Sequence, residues 1–250
     1  MTESIVEKRK DIFTDKLMVF GPTDGPTQPL TPFAPYFEVA MWNNNINLNG
    51  TLIDNLKYYL LGKEVDILTN FDYYNDGGTG LGKDDVTTRF ARYNLLAFND
   101  PCISMLKEQI KLNFNLFLKE LGAHQDQADF FLNKMYYDPY IVCWFNVLRK
   151  GQNIKRHVHS NLGNAFISGN ICVSATNTET HYEMPYAQGN IQIQNSPGHL
   201  TLFPSYVPHW TTKNSSDDVR VSVAFDIYAK RDHIMLSQNR EELHKIAIEF

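Results

Sequence analysis

Between Val219 and Tyr228 every second residue is apolar and mostly branched or aromatic. Val219, Val221, Val223, Phe225 and Ile227 alternate with Arg220, Ser222, Ala224 and Asp226. Successive side chains of a β-strand point to opposite faces, so this run predicts a strand with one apolar and one semi-polar face. A helical period would mix the two sets. The same grammar reaches back to Pro139: 140–148, 165–175, 191–194 and 199–203 are short β-rich runs separated by Gly, Asn, Ser and Pro. Within the second of them, Ser168, Asn170 and Cys172 oppose Ile167, Ile171 and Val173. Many short strands with turn punctuation specify a sandwich or barrel, not βαβ units. An apolar face for helices and a semi-polar face for a cavity are what a small ligand-holding barrel needs.

The first half reads differently. Leu52, Ile53, Leu56, Tyr59 and Leu60 recur at helical spacing over 51–61. A second helix opens at Asp100-Pro101, carries Ile103, Leu106, Ile110, Phe114, Phe117 and Leu121 at steps of three or four, and meets a stop signal at Gly122. Its aromatic stripe is expected to pack onto a sheet. The five prolines between 21 and 35 predict an extended arm or linker. Residues 72–83 and 176–190 are loop-like and are expected to frame a pocket. Gly78-Thr79-Gly80-Leu81-Gly82 has the look of a phosphate cradle, but no strand leads into it and no Gly-Lys-Ser/Thr ends it. Residues 231–248 read as a closing helix. The expected partition is a single structural domain: 1–138 as N-terminal extension and supporting helices, 139–230 as the β core, and 231–250 as a C-terminal helix.

Composition narrows the partners. With 23 Lys and Arg against 28 Asp and Glu the net charge is -5. Glu7-Lys8-Arg9-Lys10 is the densest basic run and reads as a solvated helix end, so general nucleic-acid binding is not expected. Cys102, Cys143 and Cys172 are odd in number and each lies in an apolar stretch, which predicts buried reduced thiols and a reducing cytoplasm. The polar N-terminus does not resemble a signal peptide, and no run approaches the roughly 20 apolar residues of a membrane span.

Chemistry concentrates in the β half. His157 and His159 are one residue apart, so on a strand both rings project to one side and can share a metal. His209 follows 52 residues later, in Val207-Pro208-His209-Trp210. Three imidazoles leave coordination positions open for substrate or oxygen. Eleven residues beyond His209, Arg220-Val221-Ser222 sets a guanidinium and a hydroxyl side by side on the semi-polar face. Arg holds carboxylates bidentately and Ser adds a hydrogen bond. An ion pair of Arg220 with Asp226 or Asp218 is the structural alternative.

These pieces, with Trp144-Phe145-Asn146-Val147-Leu148-Arg149-Lys150-Gly151, Ser168-Gly169, Pro197-Gly198-His199-Leu200-Thr201-Leu202-Phe203-Pro204-Ser205 and Val223-Ala224-Phe225, are similar in order and spacing to the Fe(II)/2-oxoglutarate-dependent oxygenases. The likeness is narrower to a group common in phage and marine microbial genomes. It implies a double-stranded β-helix, that is, a jelly-roll or cupin-like barrel, spanning about 143–228 and flanked by helices. It also implies Fe(II) held by His157, His159 and His209, and 2-oxoglutarate bound by Arg220 and Ser222, with Asn146 and Ser168 touching its proximal carboxylate or the substrate. Trp210 and Asn170 would wall the substrate pocket, and ascorbate would serve as accessory reductant. The implied reaction hydroxylates a C–H bond of a small-molecule or peptidyl substrate and releases succinate and carbon dioxide. Most of the superfamily carries a carboxylate two residues after the first His, where this chain has His159. His181-Tyr182-Glu183 has the His-x-acid form, in a polar stretch expected to be a loop over the cavity mouth. Two alternatives stay open: a cupin-type metal enzyme without 2-oxoglutarate, and a non-catalytic jelly-roll binding module.

Overall fold

The computed structural model describes residues 16–21, 31–33, 38–46, 48, 50–124, 139–160, 166–184, 190–229, 231–236 and 240–250. Its strands are β1 (Leu17–Phe20), β2 (Val39–Asn45), β3 (Tyr140–Leu148), β4 (Ile167–Ser174), β5 (Glu179–Glu183), β6 (Asn190–Gln194), β7 (His199–Pro204), β8 (His209–Thr211), β9 (Arg220–Tyr228) and β10 (Ile248–Glu249). The helices are α1 (Gly50–Asn70), α2 (Pro101–His124), α3 (Arg231–Leu236) and α4 (Glu241–Ile246).

The strands make two antiparallel sheets, one of seven in the order β1-β2-β7-β4-β9-β3-β10 and one of three in the order β6-β5-β8. His157 forms an isolated bridge to His209 and so adds its segment beside β8. From β3 onward the chain therefore crosses between sheets: large, small (His157), large, small twice, large, small, large. That alternation is the double-sheet jelly roll the sequence predicts. Among the described residues no ladder joins one sheet to the other, so the sheets face each other as an open pair and do not close into a hydrogen-bonded barrel.

Every residue of β9 is buried, as are all but the first of β3. The alternation explains this: the apolar face lies against helices and the semi-polar face against the second sheet. The aromatic stripe of α2 packs on the sheet side. Phe117 meets Trp42 with ring centroids 6.3 Å apart, and Phe114 meets Phe166 edge-on at 6.2 Å. Burying each such ring contributes about 1.5–3 kcal/mol. On α1, Glu64 is buried among Ile53, Leu56, Leu60 and Ile67. Its carboxylate takes both terminal nitrogens of Arg149 at 2.9 Å, which is what makes a buried acid tolerable there.

Several expectations change. α1 extends well beyond 61, and α2 runs through Gly122 to His124. The 231–248 stretch is not one helix but holds two short ones, after which β10 pairs with β3. The N-terminal half contributes strands as well as helices: β1 and β2 extend the large sheet beside β7. Residues 179–183 are a strand, not a loop; Thr180 and Tyr182 point inward, while His181 and Glu183 form the polar outer face. Cys143 and Cys172 are buried thiols, whereas Cys102 is only half-buried. Most of the proline-rich stretch and the basic run at 7–10 lie outside the described residues. No described helix is long and apolar enough to cross a membrane.

Candidate metal centre

The turn after β3 brings the chain back along β8. Its pairing there is anchored by reciprocal backbone bonds: His157 N–H to His209 C=O at 3.1 Å, and His209 N–H to His157 C=O at 3.0 Å. Two residues on, the N–H of His159 donates to Ser205 C=O at 3.0 Å. The three rings consequently meet at one place, with candidate ligand atoms all within 4.8 Å of one another.

The ring partners fix which nitrogens are offered. His157 Nδ1 faces the Lys155 carbonyl at 2.9 Å and His209 Nδ1 faces the Val207 carbonyl at 3.0 Å. A carbonyl only accepts, so each Nδ1 carries the proton. His159 Nδ1 faces Asp226 Oδ1 at 2.6 Å. With Nδ1 facing an acceptor in each ring, Nε2 is the nitrogen left to offer a lone pair to a metal. The Nε2 atoms of His157 and His159 stand 3.3 Å apart, close for two acceptors with nothing between them. Nitrogens ligating one metal at about 2.0–2.1 Å are separated by roughly this distance. The donor set fits a divalent first-row metal with open positions.

Electrostatics favours the neutral ligand form. Burial, reinforced by the neighbouring His159, pushes His157 down to about 4. Burial and the two other histidines hold His209 well below the ordinary range. Burial alone would raise the Asp226 carboxyl, but the His159 ring and the Ser168 hydroxyl outweigh it and hold Asp226 below the usual aspartate value.

The same cavity holds a second group. Arg220 is 4% exposed, yet among the described residues its Nε and Nη1 have no hydrogen-bond partner, and Nη2 reaches only Thr180 Oγ1 at 3.4 Å. No carboxylate among the described residues lies in ion-pair contact with it, so the Asp226 and Asp218 alternatives are not realised. Burial without a counter-charge lowers its pKa. Such a cation is costly unless a ligand completes it. Beside it Asn146 accepts from Thr87 Oγ1 at 2.9 Å and donates to Ser222 Oγ at 3.3 Å.

Residues 142–226 match a family described as "Putative 2OG-Fe(II) oxygenase". Over this segment the chain is similar to the 2OG-Fe(II) oxygenases. The match takes in most of β3 and reaches into β9, leaving the N-terminal half outside it. Among solved structures, the chain is similar to a Pseudomonas putida prolyl-4-hydroxylase at 12% identity, covering 76% of this chain and 92% of that one, TM-score 0.44. It is similar to a prolyl hydroxylase from Trichoplax adhaerens at 13% identity, covering 79% and 87%, TM-score 0.47. No curated protein gives a significant match.

In this matched segment the cavity is lined by His157, His159, His209, Arg220, Ser222 and Asn146, together with Asn170. Two sequence candidates lie elsewhere. Trp210 points to the opposite side of β8, where it stacks on His181 at 5.3 Å, and does not line the cavity. Ser168 is fully buried behind the ligands and donates to Asp226 Oδ1 at 2.6 Å. Of the two expected frame segments, 72–83 contributes Asp76, Gly77 and Thr79, and 176–190 contributes Thr180. The glycine loop is no phosphate cradle, because Asp76 and Asn75 already accept the N–H groups of Gly77, Gly78 and Gly80. Its role is proximity: Gly78 (φ 81) lies where a Cβ would come 3.3 Å from the His157 Cβ. Sequence reasoning missed Thr87, Thr180 and Asp226 as neighbours of the site. Asp226 shares a strand face with Arg220, but its partner Ser168 is evident only from the β4–β9 register.

Proposed function

We propose that this chain is an Fe(II)- and 2-oxoglutarate-dependent dioxygenase that hydroxylates a C–H bond of a small-molecule or peptidyl substrate. One observation carries the reading: a buried guanidinium with two unpartnered nitrogens shares one cavity with three converging imidazole Nε2 atoms. A cation-lined pocket opposite a metal site calls for a ligand with a carboxylate at one end and a chelating group at the other. 2-Oxoglutarate has that form. Bound there, the metal would activate dioxygen, the oxidant, with 2-oxoglutarate as the electron-donating co-substrate: one oxygen atom would go to succinate with loss of carbon dioxide and the other to the substrate C–H bond.

The chain's own residues bind, orient and shield. His157, His159 and His209 hold Fe(II) through Nε2, each ring fixed by its Nδ1 partner. Arg220 receives the distal carboxylate through Nε and Nη1, Ser222 donates to it, and Asn146 is kept facing the cavity by Thr87. Phe203, Trp144 and Phe90 provide apolar walls that keep water from the reacting centre. Asp76, Val158 and Arg240 line its more exposed part and are placed to meet the substrate.

The test is anaerobic addition of Fe(II) and then 2-oxoglutarate to metal-free protein, followed by visible spectroscopy. A weak charge-transfer band needing both additions, and lost in Arg220→Ala and His159→Ala, is the expected result. Metal uptake without the band would transfer the protein to the cupin-type enzymes without 2-oxoglutarate. Absence of metal uptake would leave a jelly-roll binding module.

A further inference from the structure

His159 stands apart from the other two rings. His157 and His209 rest their Nδ1 atoms on backbone carbonyls, which are neutral, whereas His159 rests on a buried carboxylate. Asp226 Oδ1 accepts from His159 Nδ1 at 2.6 Å and from Ser168 Oγ at 2.6 Å, while Oδ2 accepts a long contact from Tyr228 Oη at 3.5 Å. Asp226, Ser168 and His159 are 2%, 0% and 9% exposed, so solvent does not screen the charge. Ser168 and Asp226 are direct partners on β4 and β9, so the carboxylate is held by two central strands of the large sheet.

A charge count gives this arrangement a purpose beyond holding a ring. Resting on the proposed function, the filled cavity contains a divalent cation, a dianionic co-substrate and Arg220, which sum to one positive charge. Three neutral imidazoles leave that sum unchanged. Asp226 brings it to zero, and the half-buried Asp76 and Arg240 add one charge of each sign. Uncompensated charge in a buried site is expensive. We propose that Asp226, positioned by Ser168 and acting through His159, supplies the negative charge that the three-histidine ligand set itself lacks. Asp226 is a positioning residue that touches neither metal nor co-substrate. Its hydrogen bond draws the Nδ1 proton toward the carboxylate and makes His159 the most strongly donating of the three ligands.

Asp226→Asn separates charge from shape, because the amide keeps the size and an oxygen acceptor for His159 and Ser168. The experiment titrates metal-free full-length protein with Fe(II), and with Co(II) as a spectroscopic probe, without oxygen. The expected result is a 10- to 100-fold weaker metal affinity at unchanged secondary structure, the range typical of lost outer-shell partners. With 2-oxoglutarate added, the Fe(II) charge-transfer band should move to higher energy. A second variant, His159→Asp with Asp226→Asn, moves the negative charge next to the metal at constant total charge. It is expected to bind Fe(II) more tightly than Asp226→Asn alone, which a merely structural role for Asp226 does not predict. Asp226→Asn binding within threefold of wild type, with the band unmoved, would overturn the inference and leave the proposed function standing. If Asp226→Asn does not fold, the double variant binding tenfold or more below wild type would overturn it too. Wild-type protein that takes up no metal would overturn both.

Discussion

Replacing Arg220 by Met should make the ligand-free protein more stable while destroying its affinity for 2-oxoglutarate. Arg220 is buried, and its Nε and Nη1 have no partner among the described residues. An unsatisfied buried polar group costs about 1–3 kcal/mol, more when charged. Water entering the cavity recovers part of this, so the net gain from removing both groups is about 1–3 kcal/mol. Met retains most of the aliphatic stem and so leaves little void. For a chain of this size 1 kcal/mol corresponds to about 2–4 °C, which places the rise in Tm at roughly 2–12 °C. In the other direction, two hydrogen bonds between charged groups are worth about 1.5–3 kcal/mol each. Losing both weakens 2-oxoglutarate binding by about two to four orders of magnitude. Thermal unfolding without co-substrate and calorimetric titration of the metal-loaded protein measure the two halves separately. A variant that melts below wild type without co-substrate, or binds 2-oxoglutarate as tightly, would refute the reasoning, because Arg220 would then be a satisfied structural group.

Ser222→Ala leaves the guanidinium in place and should weaken 2-oxoglutarate about tenfold, read by the same titration. Gly78→Val forces a β-branched residue to φ 81 against the His157 Cβ, and is expected to lower stability by about 1–3 kcal/mol and weaken metal binding together. The metal-free protein should lose stability in acid. The folded His157 titrates near 4 and the unfolded one near its ordinary 6.5, so between these values the unfolded chain binds more protons and stability falls as pH falls. The loss from this group is at most about 3 kcal/mol, is complete below pH 4, and is absent above 6.5. His209 acts in the same direction. Denaturant midpoints across that range, with and without a saturating metal, check the sign, since bound metal excludes the protons.

The strands that frame the cavity were legible because each has one wet and one dry face. In β9 the alternation separates the Arg220 face from the Val221 face without reference to any neighbour. β5 obeys the same period, but its outward residues, Glu179, His181 and Glu183, made the stretch look like a polar loop. β1 and β2 carried too little signal. Leu17–Phe20 is four residues long, and the strand from Val39 ends in three asparagines, which are poor strand formers. Only pairing to β7 makes that segment extended. At the site, the metal triad was readable from spacing, since residues i and i+2 share a side. Thr87 and Asp226 were not, because their roles come from register and from a 3-10 turn (Val86–Arg89) far away in sequence. Trp210 was misplaced for a related reason: adjacency to His209 along a strand puts it on the other side.

The reciprocal backbone pair between His157 and His209 also bears on how metal enters and leaves. In small zinc modules the ion gathers its ligands, and the apo chain is unfolded. Here the two ligand-bearing segments are already joined by two peptide hydrogen bonds, and His159 by a third to Ser205. An ion bound as proposed would meet a finished socket and do none of the work of building it. Stripping such an ion and refilling the site with a different divalent one is therefore expected to leave the secondary structure unchanged.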